Sequence, residues 1–434
     1  MANSREMARS CADRATRASV HGDVAPMQPA THRRNTAVSL LLATLLAVAI
    51  VTGCDRLLTE RPDPGTRFDQ PIEGLGNGEL GRFQAGQAQF RRGFTIDEGL
   101  GPVFNNRSCA SCHSADGRGV LENSLVRFSR GLDPITAEGG PQLQDKAIPG
   151  ADPEVLPPGV DVSRRLPPPV FGVGLIEAIT DSCILSHADP TDADGDGISG
   201  RPNYVMAESF VPATEPGGGP GPRIGRFSRK AQVPALLQQV IEAYHQDMGI
   251  TSSFRSTDNV NPLSNKPNPD QARDPEVGGG EVDAVMNYVR MLAPPAPGEW
   301  TDRRRQGEAL FVAATCATCH VPVMRAGWHD IEALANRDVL LYSDLLLHDL
   351  GDGLADNRPD GSADGKEWRT APLWGMRLVR EFLAGDMLLM HDGRARSVEA
   401  AINLHGGEAA GAASAFQAMT ADERAALIDF VESR

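Results

Sequence analysis

Two five-residue segments constrain this chain more than anything else in it. Cys109-Ala110-Ser111-Cys112-His113 and Cys316-Ala317-Thr318-Cys319-His320 repeat one pattern, CxxCH. This is the attachment sequence of c-type haem. Two thiols reach the two vinyl groups of one porphyrin, and the adjacent imidazole turns back to bind the iron as proximal ligand. A redox CxxC pair or a zinc site would account for the cysteines, but not for histidine in the fifth place twice. A chain that wraps two porphyrins needs helices with an apolar stripe to lay on them. The expected fold is therefore mainly α, with two cytochrome c-like domains and two covalently bound haem c groups.

The other cysteines fit an exported protein. Arg33 and Arg34 precede an apolar run from Val38 to Val51, and Val51-Thr52-Gly53-Cys54 follows. The run is a secretion signal, too short to span a bilayer comfortably. Its end resembles the bacterial lipobox, in which the cysteine is diacylated and begins the mature chain; an ordinary signal peptide or short anchor is the alternative. Residues 1–26 are polar and Arg-rich, and Met27 stands where such a signal would start. Residues 1–54 thus read as leader and lipoprotein signal peptide, with lipidation at Cys54, and residues 55–70 as a polar tether. That places the folded part at the periplasmic face, lipid-anchored to the cell envelope. Cys11 falls in the leader, which leaves Cys183 outside the two motifs, as a small buried hydrophobe rather than a reactive thiol. With 57 acidic against 42 basic residues and a net charge of -15, nucleic acid is excluded as a partner.

An internal repeat extends beyond the motifs. Phe83, Gln87, Phe90 and Phe94 recur at helical spacing before the first CxxCH, and a short helix from Arg303 to Thr315 precedes the second. Each half closes with an amphipathic helix. Val282, Val285, Met286, Val289 and Leu292 mark the first, ended by Pro294-Pro295; Thr420 and Glu423 make a capping box for the second. The interval between His113 and Val282 exceeds one cytochrome module, so long loop-rich inserts decorate the first half. The linker from Pro294 to Arg304 divides a first domain, residues 71–295, from a second, residues 296–434.

The stretches LGPVFNNRSCASCH, PPPVFGVGLIEAI, YSDLLLHDLGDGLAD, EWRTAPLWG and LMHDGRARSVEAAINLHGGEA together resemble the bacterial di-haem oxidoreductases labelled thiol oxidoreductases. That family is similar to the di-haem cytochrome c peroxidases. The resemblance implies two haems with unequal tasks, one reacting with substrate and one relaying electrons. It also implies a ligand on the second haem: in the peroxidases a distal ligand follows a His-x-Gly motif by fourteen residues. Here that motif is His391-Asp392-Gly393, and the position is His405. His320 and His405 would form a bis-histidine pair, unless His405 simply caps a helix before Gly406. His391 itself would hydrogen-bond near the haem. Gln239 and Asp247 resemble the amide and carboxylate of the peroxidase distal pocket, where one orients peroxide and the other moves its proton. No second histidine lies near His113 in sequence, so its iron would be open; Met248 or His245 are the alternative sixth ligands. Trp374 aligns with a haem-contacting segment, and Arg369 would pair with a propionate.

Asp192, Asp194 and Asp196 follow the pattern of a calcium loop, although the twelfth position is Asn203 rather than Glu; a plain acidic turn is the alternative. The functional expectation is a peroxidase-like di-haem enzyme. Electrons from a small redox protein or quinol-linked donor pass through the C-terminal haem to a substrate-reactive N-terminal haem. An electron carrier without substrate chemistry and a haem-dependent thiol oxidoreductase are the rivals.

Overall fold

The computed structural model describes residue 65 and residues 67–434, except 115, 116, 383, 384 and 386. The leader, Cys11, the lipobox Cys54 and nearly all of the tether lie outside the described residues. No helix among the described residues is long and apolar enough to cross a membrane. Helix accounts for 34% of the structure against 13% strand, so the chain is mainly α, as its sequence predicts.

The helices are, in order, α1 (Asn77–Arg91), α2 (Cys109–Cys112), α3 (Val173–Ala178), α4 (Asp181–Leu185), α5 (Leu236–Glu242) and α6 (Gly279–Met291). Then follow α7 (Asp302–Ala313), α8 (Cys316–Cys319), α9 (Met376–Phe382), α10 (Val398–Leu404), α11 (Ala410–Ala418) and α12 (Ala421–Glu432). The longer ones are capped by their own sequences. Glu79 accepts the Gly76 N–H at 2.8 Å ahead of α1, and Glu281 accepts the Gly278 N–H at 3.0 Å ahead of α6. Thr420 and Glu423 bond reciprocally at 3.3 and 2.8 Å, the capping box expected for α12.

The repeat is a matter of geometry as well as sequence. In the N-terminal half α1 crosses α6, and Gly86 lies so close that a β-carbon there would strike the Ala284 carbonyl and the Tyr288 side chain. In the C-terminal half α7 crosses α12, and Gly307 approaches the Ala426 carbonyl and Phe430 in the same way. Four residues beyond each glycine stands a phenylalanine. Phe90 packs on Tyr288 (5.1 Å) and on His113 (6.3 Å); Phe311 packs on Phe430 (5.4 Å) and on His320 (6.3 Å). The helix crossing thus delivers an aromatic ring to each CxxCH histidine. Phe94 departs from the expected helix: α1 stops at Arg91, and Phe94 is buried from an extended segment.

Between α1 and α6, and again between α8 and α9, long loops around the short helices are pinned by two-stranded antiparallel ribbons. These pair β1 (Val103–Phe104) with β3 (Lys146–Ala147), β2 (Leu125–Ser129) with β4 (Asp161–Arg165), and β5 (Tyr204–Met206) with β6 (Pro222–Ile224). After the linker come β7 (Met324–Arg325) with β8 (Asp338–Val339), and β9 (Leu347–Asp349) with β10 (Glu367–Arg369). The larger apolar core holds Phe83, Phe90 and Tyr288 but also Val321, Leu346 and Trp374 from beyond the linker. A smaller one is built on Phe311, Phe416 and Phe430. The halves therefore share buried surface, and Cys183 sits in the shared core with its sulfur accepting the Arg325 N–H at 3.2 Å.

Candidate active site

Helices α2 and α8 are single turns, and their role is to aim side chains. Ser108 caps α2 by accepting the Ser111 N–H at 3.0 Å, and the His113 N–H closes the turn on the Cys109 carbonyl at 2.9 Å. In α8 the His320 N–H bonds the Cys316 carbonyl at 2.9 Å, after Thr315 at φ 61°. One turn places both cysteines and the histidine on one side. All six side chains line a single cavity of about 970 Å³ that reaches from one motif to the other. That is the upper end of the range for a small-molecule site, about 300–1,000 Å³.

The donor set fits haem. Cys109, Cys112, Cys316 and Cys319 form no disulfide. Burial, helped by the nearby Asp247 charge, pushes the Cys109 and Cys112 thiols up to about 12, and burial pushes Cys316 up to about 11. Reactive redox CxxC pairs work through the thiolate, which burial disfavours here. Burial lowers His113 to about 4. Its Nδ1 makes no hydrogen bond of ordinary geometry, although the Pro168 carbonyl weakly opposes the shift. Burial, reinforced by the neighbouring His405, likewise lowers His320 to about 4. Both imidazoles are neutral at neutral pH, the form that binds a metal.

His320 and His405 are oriented alike. His320 Nδ1 bonds the Tyr342 carbonyl at 3.0 Å, and His405 Nδ1 bonds the Ala401 carbonyl at 2.7 Å. Each hydrogen bond fixes the proton on Nδ1 and leaves the Nε2 lone pair free. His405 does stand at the C-terminal end of α10, bonding its own helix, and it also lines the cavity; the helix-cap geometry is what holds the ring. The backbone beside these ligands is strained: Tyr342, Leu345 and Met390 have φ of 53°, 63° and 68° without being glycine. Such conformations cost about 1–3 kcal/mol each and cluster where position matters.

On the His113 side, α5 runs into a π-helical turn, Ala243–Asp247. Such turns are frequent at functional sites because they re-aim side chains. Asp247 lines the cavity, Gln142 Nε2 donates to its Oδ1 at 2.6 Å, and burial raises its carboxyl to about 6. Gln239 also lines the cavity, its Oε1 accepting the Ser228 hydroxyl at 2.8 Å. Of the alternative sixth ligands, Met248 lines the cavity and is buried, whereas His245 faces away and bonds the Thr257 carbonyl at 3.0 Å.

Arg118, Arg229 and Arg369 line the cavity, and no carboxylate lies within ion-pair distance of any of them among the described residues. They bond only backbone carbonyls, of Leu388, Leu166, Ser228 and Thr370. Burial lowers Arg118 and Arg369 to about 10; burial and the charges of the other two lower Arg229 to about 9. Three buried cations that face one void without an ion-pair partner match a ligand that brings carboxylates, as haem propionates do. Arg369 lines the cavity that the two CxxCH motifs share, together with Arg118 and Arg229. Trp374 is 7% exposed, packs against Gly172 and lines the cavity. His391 stacks on Trp368 at 3.7 Å and 6°, beside the same cavity.

The acidic loop differs from its sequence reading. Asp189, Asp192 and Asp194 bring carboxylate oxygens within 4.8 Å of one another, and Asp196 is not among them. Asp196 instead accepts the Ile198 N–H at 2.9 Å, and Asn203 is fully buried, donating to the Lys230 and Asp360 carbonyls. Asn203, the twelfth position of the pattern, is thus turned into the core and does not join that group. Sequence reasoning also missed Gln142, Trp368 and a buried Asp344–His348–Glu408 group. The one signal for the last was an Asp and a His four residues apart in YSDLLLHDL.

The family described as "Di-haem oxidoreductase, putative peroxidase" matches residues 50–135 and 151–434. None of the curated proteins matches the chain. Among solved structures, hydrazine synthase of Kuenenia stuttgartiensis aligns over 95% of this chain and 100% of its own at 13% identity, with a TM-score of 0.36. That score is too low to carry an argument about fold or function. The family match, spanning nearly the whole chain and both CxxCH motifs, does carry one: this protein belongs to the di-haem oxidoreductase family.

Proposed function

We propose that the chain is a c-type di-haem peroxidase in which the two CxxCH sites have different tasks. The observation that carries this is the asymmetry of the single cavity. At the C-terminal end two imidazoles, His320 and His405, both have free Nε2 atoms; elsewhere the cavity that His113 lines is also lined by the Asp247 carboxylate and the Gln142 and Gln239 amides. Haem c, when attached to Cys109/Cys112 and to Cys316/Cys319, supplies iron for electron storage and for binding an oxidant. The protein supplies the rest. His113 and His320 would hold the two irons, with His405 a second imidazole beside His320, and Arg118, Arg229 and Arg369 would pair with propionates. Asp247 Oδ2 has no hydrogen-bond partner among the described residues, so it can take a proton from the near oxygen of a peroxide and deliver it to the far one. The amide NH₂ of Gln239, whose oxygen is held by Ser228, orients the peroxide. Two electrons and two protons then yield two waters. The electrons enter at the C-terminal site from a small redox protein or quinol-linked donor.

The two helix crossings, each delivering a phenylalanine to a CxxCH histidine, support two cytochrome c-like units, residues 71–295 and 296–434. The lipobox supports anchoring through Cys54 at the periplasmic face. The test is electron paramagnetic resonance of the haem-loaded protein, oxidised and half-reduced. A high-spin signal beside a bis-histidine low-spin one supports the enzyme; two low-spin signals in both states, with Met248 closing the first iron, leave an electron carrier. Turnover with thiols and not with peroxide would instead reverse the direction of electron flow.

A further inference from the structure

His348 lies in β9, 4% exposed, between two carboxylates. Its Nε2 is 2.8 Å from Asp344 Oδ2 and its Nδ1 is 2.8 Å from Glu408 Oε2. A carboxylate accepts, so both ring nitrogens donate and the ring is an imidazolium. Each carboxylate is tied in turn to one ligand of the C-terminal site. The Asp344 backbone N–H donates to the Cys319 carbonyl at 3.0 Å, and two residues earlier the Tyr342 carbonyl accepts His320 Nδ1–H. Glu408 follows His405 by three residues, across Gly406 and Gly407, which supply no side chain to hold that loop. Its carboxylate also collects the Ser199 N–H at 3.1 Å, the Ser199 hydroxyl at 2.8 Å and the Asp349 N–H at 3.3 Å.

We propose that Asp344, His348 and Glu408 are positioning residues: one buried imidazolium, shared by two carboxylates, clamps the segment under His320 to the loop that carries His405. Charge-assisted bonds are short and directional, which suits a device that must fix the separation of two segments far apart in sequence. An apolar brace would bury more cheaply but would not set register. His348 Nδ1 also lies 3.7 Å from Cys319 Sγ in the CxxCH turn; otherwise the three act through the backbone of their neighbours. This inference rests on the reading of His320 and His405 as the ligand pair.

The experiment uses the full-length, haem-loaded protein and four variants: Glu408→Ala, Glu408→Gln, His348→Phe and His405→Ala. Haem content, thermal stability and the low-temperature paramagnetic resonance spectrum are read in parallel. Glu408→Ala and His348→Phe should keep both haems attached and lose much of the bis-histidine low-spin signal to high spin. Glu408→Gln, whose amide oxygen still accepts His348 Nδ1–H, should restore most of it. If Glu408→Ala and His348→Phe lower thermal stability yet keep the wild-type low-spin signal, while His405→Ala abolishes it, the clamp is refuted and the ligand pair stands. If His405→Ala leaves the spectrum unchanged, the ligand pair falls and the clamp with it. Should His348→Phe fail to fold, the Glu408 pair decides alone.

Discussion

Replacing Asp247 by asparagine should move activity and stability in opposite directions. Burial raises this carboxyl from an ordinary 3.8 to about 6. At about 1.36 kcal/mol per pH unit, holding it charged at pH 7 costs roughly 3 kcal/mol of folding free energy. The sign follows from proton uptake: between about pH 4 and 6 the folded state binds the proton more tightly than the unfolded chain, so stability falls as pH rises through that window and is flat above it. Asparagine has no such term, and its Oδ1 still accepts the Gln142 N–H. Asp247→Asn should therefore be more stable than the parent at pH 7 by up to about 3 kcal/mol, with the difference vanishing below about pH 4. Peroxide turnover should fall by roughly 100- to 10,000-fold, the usual contribution of a positioned acid–base group. In the parent, turnover should drop about tenfold between pH 7 and 5 as the carboxylate takes up its proton. Urea denaturation at several pH values and initial rates with hydrogen peroxide measure both. A variant that retains the parental rate, or the parental pH dependence of stability, would refute the assignment.

Three further outcomes are expected. Cys112→Ser and Cys319→Ser should each weaken covalent retention at a different haem, read by denaturing gel and haem stain; an unchanged count after either would remove that motif as an attachment site. Arg229→Met should lower the reduction potential of the haem whose propionate it neutralises, because a cation favours the reduced form less once it is gone; spectroelectrochemical titration with no shift would place the propionates elsewhere. Metabolic labelling with palmitate should be lost in Cys54→Ala, and persistent labelling would reject the lipobox.

What could be read from sequence was what is local. CxxCH works because one helical turn brings three side chains to one face, and a capping box such as Thr420/Glu423 is complete within four residues. The two closing helices were legible because α6 and α12 bury one stripe each. The features that make the site specific are not local. Arg118 and Arg229 come from two loops and Arg369 from the end of β10, and only their common lack of an ion-pair partner identifies them. Asp344, His348 and Glu408 span a ribbon and a turn beyond α10, so only one of their two pairings leaves a trace in sequence spacing. The acidic loop is legible only in part: Asp192 and Asp194 do converge, but with Asp189 in place of Asp196, and Asn203 is drawn into the core by the Lys230 and Asp360 carbonyls.

The same contrast bears on how the protein is assembled. A polypeptide gains nothing by burying three guanidinium groups without an anion, nor by holding Tyr342, Leu345 and Met390 in left-handed backbone. The guanidinium groups and Met390 line one cavity, Tyr342 and Leu345 belong to the apolar cores, and the helix crossings at Gly86 and Gly307 carry neither cost. The crossings can therefore form from the chain alone, as the scaffold that presents Phe90 and Phe311 to the CxxCH histidines. The segments that bring Arg118, Arg229 and Arg369 to the cavity gain nothing comparable from burial, so the costly part of the fold is the part that forms the candidate site.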